Sequence, residues 1–380
     1  MNHKFQLDLT LMPKELKVLL ELIKDDDNQH IHENTSEWFA NMNWDYFLKL
    51  AMHHRVYPLV YLKLKVIAGE VIPFHVLQTL QKEYQKNTFR MLHLSGEMER
   101  ISKLLAEKQI RSLFLKGPVV AYDLYGDISL RTSKDLDILI SEVDLPKAES
   151  LLLKEGYEKE KVSTILNEIK WRHHHVSYFH PEKKIQIEIH WRLHPRPMKE
   201  PKFEELWDRK RTSSLTKHPV PFLGEEDLFL YLIAHGARHG WFRLRWLKDI
   251  DQILKKKKMD DMKVRLSIKK YQQQRLVDQA CVLVVQLLDY PLNKAFSSKK
   301  SAQRITYQAY TYIINAEDFT YSNKYLFSLQ PTMQRIYFIM ILLYPHSIDT
   351  KTLALPKPLY FLYFLLRPTL WLWRRTERWK

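Results

Sequence analysis

Two aspartates separated by one residue stand in an apolar run, in the segment RTSKDLDILIS at residues 131–141. Short β-branched runs favour a strand, whose side chains alternate between two faces. Asp135 and Asp137 therefore share one face, while Leu136 and Ile138 occupy the other. Two adjacent carboxylates repel each other, which raises the pKa of one of them, and a divalent cation removes that cost. The alternative is a strand edge with two solvated aspartates.

A third carboxylate follows in IQIEIHW at residues 185–191, where three isoleucines form one face of a second predicted strand. Glu188 and His190 lie on the opposite, polar face. If this strand pairs beside the first, we expect Glu188 within about 4–7 Å of the two aspartates, because the isoleucines need the core. Three carboxylates on adjacent strands can hold two Mg²⁺ ions, which clamp the attacking and leaving oxygens of a phosphoryl transfer.

Cationic and small residues surround these carboxylates in the sequence. SLFLKGP at residues 112–118 predicts a short strand that ends in a turn before a helix. The Gly117 turn would let backbone N–H groups approach a phosphate, and Lys116 would add a cation. The candidate nucleotide-binding residues are Lys116, Gly117, Arg131, Ser133, Lys134 and His190. The alternatives are surface lysines and an arginine that pairs with a core carboxylate.

The elements that must position these residues form a small mixed sheet. Residues 13–110 carry helical apolar spacing, and strand, helix, strand, helix and hairpin patterns then follow one another. Helical patterns return from about residue 225. We predict an α+β fold with an N-terminal helical region at residues 1–110, a sheet core at 111–195, a C-terminal helical region at 196–345 and a basic aromatic tail at 346–380.

The composition favours a cytoplasmic protein with polyanionic partners. The 380 residues carry a formal net charge of +16, which suits nucleotide phosphates, nucleic acid or an anionic membrane. No motif that reads DNA or RNA is present, so a nucleic-acid partner is not expected. Cys281 is the single cysteine, which excludes an internal disulfide and favours a reducing compartment. Neither a signal peptide nor an apolar segment of spanning length is apparent.

The last residues combine aromatic and basic side chains in LPKPLYFLYFLLRPTLWLWRRTERWK. This segment is too short and too interrupted to span a bilayer. Aromatic residues beside arginines suit a membrane interface or a partner groove. We therefore expect peripheral contact with the inner membrane surface, and the alternative is docking of the tail on the protein's own core.

Histidines recur in two places. His173, His174 and His175 are consecutive, and alternation along a strand disfavours one shared zinc ion. A strand histidine close to the carboxylates is the favoured interpretation. His235 and His239 stand four apart on a predicted helix, where packing or phosphate contact is favoured over metal binding. The arginines that flank this helix could close over a nucleotide or remain solvated; they are Arg238, Arg243 and Arg245.

The segment LFLKGPVVAYDLYGDISLRTSKDLDILI, followed by IEIHW, resembles the nucleotidyltransferase superfamily that includes polymerase β and the kanamycin nucleotidyltransferases. Within it, the chain is similar to an uncharacterised bacterial family with a Lys-Gly turn, an Arg-x-x-x-Asp-x-Asp segment and an acidic-x-His-Trp strand. The likeness extends to LAMHHRVYPLVYLKL upstream and AHGARHGWFRLRWLKDID downstream. It therefore covers most of the chain.

The resemblance implies a nucleotidyltransferase-type sheet and a metal-dependent enzyme. Such an enzyme transfers a nucleoside monophosphate from an NTP, ATP foremost, to a small-molecule, peptide or protein acceptor and releases pyrophosphate. Asp135, Asp137 and Glu188 would be the catalytic residues and the ligands of Mg²⁺ or Mn²⁺. The usual Gly-Ser turn is replaced here by Lys116-Gly117. The alternative is a non-catalytic nucleotide- or membrane-associated binding or regulatory protein on the same fold.

Overall fold

A mixed sheet surrounded by helices forms the centre of the protein, which confirms the predicted α+β fold. The computed structural model describes residues 5–24, 37–67, 71–161, 164–166, 168–291, 300–315 and 322–377. Within these ranges the sheet has seven strands. They are β1 Ser112–Phe114, β2 Asp135–Ile140, β3 Glu158–Lys159, β4 His175–His180, β5 Ile185–His190, β6 Arg211–Ser213 and β7 Val220–Phe222.

The sheet order places the two predicted carboxylate strands side by side. The order is β3-β4-β5-β2-β1-β7-β6. Strand β2 runs parallel to β5, and this register sets Asp137 opposite Glu188. Leu136 and Ile187 are fully buried beneath the same pair of strands. Because side chains alternate along a strand, burial of these apolar residues directs the carboxylates to the other face.

Helices precede, interrupt and follow the sheet. Before it lie α1 Lys14–Lys24, α2 Trp44–His53, α3 Tyr57–Ile67 and α4 Phe74–Glu107. Between its strands lie α5 Pro118–Tyr125, α6 Leu145–Lys154, α7 Glu168–Arg172 and α8 Phe203–Asp208. After it lie α9 Glu225–Arg238, α10 Leu244–Lys256, α11 Asp261–Tyr271, α12 Gln274–Leu288, α13 Lys300–Ile314, α14 Asn323–Leu329, α15 Thr332–Leu343, α16 Ser347–Thr352 and α17 Tyr363–Glu377.

The turn between β1 and α5 has the conformation that its sequence predicts. Gly117 adopts a φ of 85° at the N-cap position, a conformation that L side chains rarely adopt. Pro118 is the first helical residue, where the missing N–H costs nothing. The turn therefore brings Lys116 from the end of β1 to the edge of the carboxylate face.

The sheet continues beyond residue 195, into the stretch predicted to be helical. Strands β6 and β7 pair with each other, and β7 pairs in parallel with β1 through Phe114 and Phe222. Each has only three residues, and Pro221 interrupts the apolar pattern of β7. Proline is confined to edges and short pairings in sheets, so the sequence carries no strand pattern here, and the prediction of a helical region over these residues was wrong. The domain boundaries at residues 110, 195 and 345 remain a prediction.

The tail packs on the preceding helices. A 3₁₀ helix at Lys357–Leu362 leads into α17, where Tyr363 and Leu370 form a small apolar cluster with Ile165. Arg367 and Arg374 both bind the fully buried carboxylate of Asp349. Among the helices of the described residues, none combines the length and apolar character that a bilayer-spanning segment needs.

Candidate active site

Asp137 and Glu188 face a common cavity from adjacent strands, together with His190. Nε2 of His190 lies 3.2 Å from Oδ1 of Asp137 and 3.4 Å from Oε2 of Glu188. One ligand atom from each of these three residues lies within 4.8 Å of the other two. The predicted convergence of the second aspartate with the glutamate is therefore present in the sheet.

The carboxylate of Asp137 is only partly satisfied. Nζ of Lys116 lies 3.1 Å from the same Oδ1 that contacts His190. Burial would raise the pKa of Asp137, but Lys116 and His190 hold it below its usual value. Its Oδ2 is buried and has no hydrogen-bond partner among the described residues. A buried, ionised oxygen without a partner is costly, so this donor set fits a divalent cation.

Asp135 lines the same cavity but is not a member of that donor group. Burial and the neighbouring Asp137 carboxylate raise the pKa of Asp135 to about 6, although Lys116 opposes the shift. This is the effect expected when two carboxylates share one strand face. In the described residues, one group of possible ligand atoms therefore joins Asp137 to Glu188 and His190, and Asp135 lines the same cavity outside that group.

The cavity has a volume of about 410 Å³, within the usual range for small-molecule sites. Most of the residues predicted to bind nucleotide line it. They are Lys116, Arg131, Ser133, Lys134 and His190. Gly117 is absent from the lining; it lies in the turn behind the wall, where a Cβ would stand 3.6 Å from the side chain of Leu136.

Arg131 is held by a core carboxylate. Its guanidinium is 1% exposed and donates from Nε and Nη2 to Asp249 at 3.0–3.1 Å. The hydroxyl of Tyr125 donates to the same carboxylate at 2.9 Å. The structure thus shows the alternative considered for Arg131, in which it pairs inside the protein, while the residue still borders the cavity.

Arginine and lysine side chains form a cationic part of the cavity wall. Burial lowers the pKa of Arg245 to about 9, and repulsion from Arg131 adds to the shift. Burial and the nearby Arg243 lower the pKa of Arg55 to about 10. Repulsion from Arg55 also lowers the pKa of Lys134. Positive charges that destabilise one another in this way favour a polyanionic ligand.

The sequence predicts part of this wall. Arg238, Arg243 and Arg245 were considered for closure over a nucleotide, and all three line the cavity. Arg55 was missed. Arg55 stands in the HHR triplet of the segment LAMHHRVYPLVYLKL, which was the sequence signal for it. This segment belongs to a helical region far from the sheet in sequence.

His235 of α9 and His239, which caps the C-terminus of that helix, pack among aromatic rings. The ring of His239 stacks on Trp246 with centroids 5.2 Å apart, and His235 lies 4.5 Å from His239. Neither belongs to a potential metal-binding group in the part of the chain that the structure describes. The sequence favoured packing or phosphate contact for these histidines; the structure shows the packing, and both rings also line the cavity.

Residues 40–289 match the model of a family described as "Uncharacterised nucleotidyltransferase". The chain belongs to this family. The matched range includes the carboxylate strands, the Lys-Gly turn and the arginines of α9 and α10, so the nucleotidyltransferase family assignment covers the whole cavity. No curated protein matches the chain significantly.

A solved structure, an antigenic nucleotidyltransferase-like protein from Paracoccidioides brasiliensis, is similar to part of this nucleotidyltransferase-family chain. The two share 14% identity over 55% of this chain and 97% of the other, with a TM-score of 0.33. Structural similarity at this TM-score is too low to support an inference. The assignment rests on the family match and is consistent with the site geometry.

Proposed function

We propose that the protein is a metal-dependent nucleotidyltransferase that transfers a nucleoside monophosphate from an NTP to an acceptor and releases pyrophosphate. We also propose that it belongs to the superfamily of polymerase β and the kanamycin nucleotidyltransferases. The family match supports nucleotidyl transfer. The metal, ATP as the preferred nucleotide and a small-molecule, peptide or protein acceptor are parts of the proposal.

One observation carries the proposal: a buried carboxylate oxygen without a partner faces a cationic cavity. Oδ2 of Asp137 is that oxygen, and Arg55, Lys134 and Arg245 line the cavity that it borders. Carboxylates would hold Mg²⁺ or Mn²⁺, and arginines would bind the triphosphate. A carboxylate group alone or a cluster of cations alone is common in proteins, but a phosphoryl-transfer site needs both.

We assign two roles to the carboxylates of Asp135, Asp137 and Glu188, which are to hold the cation and to accept the proton of the acceptor. When bound, the ion would neutralise charge on the triphosphate and on the attacking oxygen. Glu188 has a side chain that is 19% exposed, whereas that of Asp137 is 2% exposed. An acceptor therefore has easier access to Glu188, which we assign as the group that receives its proton.

The phosphate contacts are assigned to the cationic wall and the turn. Lys116 already lies against Asp137, so it would neutralise charge between the carboxylates and the triphosphate. Ser133, Lys134, Arg55 and Arg245 would bind the outer phosphates, with His190 beside the carboxylates. Arg131 would act through its neighbours, because Asp249 occupies its guanidinium.

The proposed step is an in-line displacement at the α-phosphorus. The acceptor oxygen forms a bond to this phosphorus while the bond to the oxygen that bridges to the β-phosphate breaks. The electron pair of the broken bond leaves with pyrophosphate, and the acceptor proton passes to Glu188. Positioning and charge neutralisation supply most of the catalysis in such a reaction.

A transfer assay with labelled nucleotides tests the proposal. Purified protein is incubated with each α-³²P-labelled NTP, Mg²⁺ or Mn²⁺, and separate small-molecule, peptide and protein fractions of a cell extract. We expect label in one fraction and an equal amount of pyrophosphate. Asp137→Asn should abolish both signals and keep the fold, since the amide retains the shape but loses the charge that would hold the ion.

Glu142→Gln is the matched control, because Glu142 is exposed just beyond the end of β2. It should transfer label as the wild type does. Activity of Asp137→Asn at the wild-type level would overturn the metal-dependent reading. Nucleotide binding by the wild type without transfer to any fraction would favour the non-catalytic alternative.

A further inference from the structure

Three histidine side chains meet beside the carboxylates, where β4 begins. His175 opens β4 directly opposite His190 of β5. His174 precedes the strand, and its carbonyl accepts a hydrogen bond from the backbone of Trp191 at 3.1 Å. The ring centroids lie 4.6, 4.8 and 5.3 Å apart. One ligand nitrogen from each histidine lies within 4.8 Å of the others.

This arrangement differs from the expectation that consecutive histidines alternate faces. Alternation applies only inside a strand, and β4 starts at His175. His174 lies in the bend before it, so the alternation of side chains along a strand does not determine the direction of its ring. The third histidine comes from the neighbouring strand, so a pattern confined to residues 173–175 could not reveal the group.

The two ring nitrogens of His190 have different surroundings. Nε2 faces the carboxylates of Asp137 and Glu188. Nδ1 is buried without a hydrogen-bond partner in the described ranges, and so is Nδ1 of His175. His190 is only 3% exposed. A metal-binding histidine commonly binds the ion through one ring nitrogen and donates from the other to a carboxylate. His190 has a carboxylate at one nitrogen and no partner at the other, which matches that arrangement.

We propose that His174, His175 and His190 form a second cation site, which takes a borderline divalent ion such as Zn²⁺. Three imidazole nitrogens suit Zn²⁺, whereas Mg²⁺ prefers oxygen, so this site differs in chemistry from the carboxylate group, with which it shares His190. A neutral imidazole offers one nitrogen lone pair to such an ion.

The ion would link two strands and orient one side chain of the candidate active site. It would join the start of β4 to the end of β5. Bound through Nδ1, it would also fix the ring of His190 with Nε2 toward Asp137. The site does not depend on nucleotidyl transfer, and its occupancy can be measured without an acceptor.

Cobalt binding to the untagged, full-length protein tests the site. The protein is dialysed against EDTA and then titrated with Co²⁺, whose visible spectrum reports nitrogen ligands, in a large excess of Mg²⁺. We expect one tightly bound Co²⁺ that Zn²⁺ displaces and Mg²⁺ does not. His174→Gln and His175→Gln should each weaken binding by at least about tenfold.

His173→Gln is the matched control, since His173 belongs to the same run but not to the group. It should bind Co²⁺ as the wild type does. Displacement by Mg²⁺, equal losses in the control and in His174→Gln, or wild-type affinity in both site variants would each overturn the proposal. Should the buried His174 variant fail to fold, His175→Gln decides the result, because its side chain is 30% exposed and circular dichroism checks its fold.

Discussion

Arg55 has opposite expected effects on stability and on ligand binding. Its pKa is lowered to about 10 by burial and by Arg243, although Asp135 opposes the shift, so its charge is unfavourable until the cavity binds an anionic ligand. Arg55→Gln should leave the free energy of unfolding unchanged or raised. The same change should weaken NTP binding by roughly tenfold or more, which corresponds to the loss of a charged hydrogen bond worth about 1.5–3 kcal/mol.

Thermal melting and a fluorescent-nucleotide titration measure the two effects of Arg55→Gln separately. Arg265→Gln is the control, because Arg265 is exposed on α11 and should alter neither. A destabilised Arg55→Gln protein with unchanged nucleotide affinity would contradict the assignment of Arg55 to phosphate.

Asp249 neutralises Arg131 in the interior, and this pair should be sensitive to loss of one partner. Asp249 is fully buried and Arg131 is 1% exposed. Asp249→Ala would leave a buried charge unpaired, so we expect the free energy of unfolding to fall by about 3–5 kcal/mol. Urea denaturation of the single variant and of Arg131→Met/Asp249→Leu makes the comparison. The double variant should lose less stability than the single one; the reverse order would count against the buried-charge argument.

At the scale of elements, the sequence predicted features that depend on neighbouring residues, but it did not predict contacts between residues that are far apart in the chain. The alternation in β2 and β5 predicted the face of Asp137 and of Glu188, because burial of the intervening apolar residues leaves one choice of register. Strands β6 and β7 are too short for a pattern. The partner of Arg131 lies 118 residues away, on a helix, and no periodicity links two such positions.

Helix α4 is connected to the β4–β5 hairpin through Glu97. Its carboxylate accepts hydrogen bonds from Arg100, Tyr157 and Lys183 at 2.6–3.0 Å. Burial alone would raise the pKa of Glu97, but Arg100, Tyr157 and Lys183 together lower it to about 2. Since Lys183 lies in the turn of the hairpin, the same carboxylate holds β5 against the helix.

The lowered pKa of Glu97 predicts a loss of stability in acid. A carboxyl whose pKa is lower in the folded state stabilises the protein above its unfolded pKa of about 4.5, and this contribution is lost as the pH falls toward about 2. It is on the order of 2–3 kcal/mol. Urea denaturation between pH 2 and 7 should show a flatter profile for Glu97→Gln. Glu107→Gln, an exposed change on the same helix, should follow the wild type; an equal slope in all three would exclude this role.

At the scale of the whole molecule, helices α15 and α17 and the 3₁₀ helix before α17 carry an apolar surface that the core does not cover. The ring of Tyr344, which follows α15, contacts that of Phe364 in α17. Side chains that remain 47–77% exposed include Met333, Ile336, Met340, Phe361, Phe364, Leu365 and Leu372. Exposed apolar patches mark interaction sites, and the net charge of +16 complements anionic lipid. We propose that this surface rests on the inner membrane face, as a peripheral contact of a cytoplasmic protein.

Flotation with anionic liposomes tests the membrane proposal. The variant Phe361→Ser/Leu365→Ser/Leu372→Ser changes only exposed side chains and leaves the ion pairs of Asp349 in place, which truncation of the tail would break. We expect liposome binding to fall by at least about tenfold, since each buried apolar side chain is worth about 1.5–3 kcal/mol. The control is Phe74→Ser/Phe89→Ser, two exposed residues of α4. Equal flotation of the wild type and the triple variant would exclude this surface.

The pairing of β1 with β7 has a consequence for synthesis of the chain. Phe114 can pair with Phe222 only after roughly 100 further residues have been synthesised. A ribosome adds about 5–20 residues per second. For on the order of ten seconds the nascent sheet therefore exposes one edge of β1, whose Leu113 and Phe114 are apolar. An open apolar edge invites pairing with other chains, and a charge beside it discourages this. Arg111 stands directly before the strand with a side chain that is 44% exposed, so its charge would discourage such pairing until β7 is made.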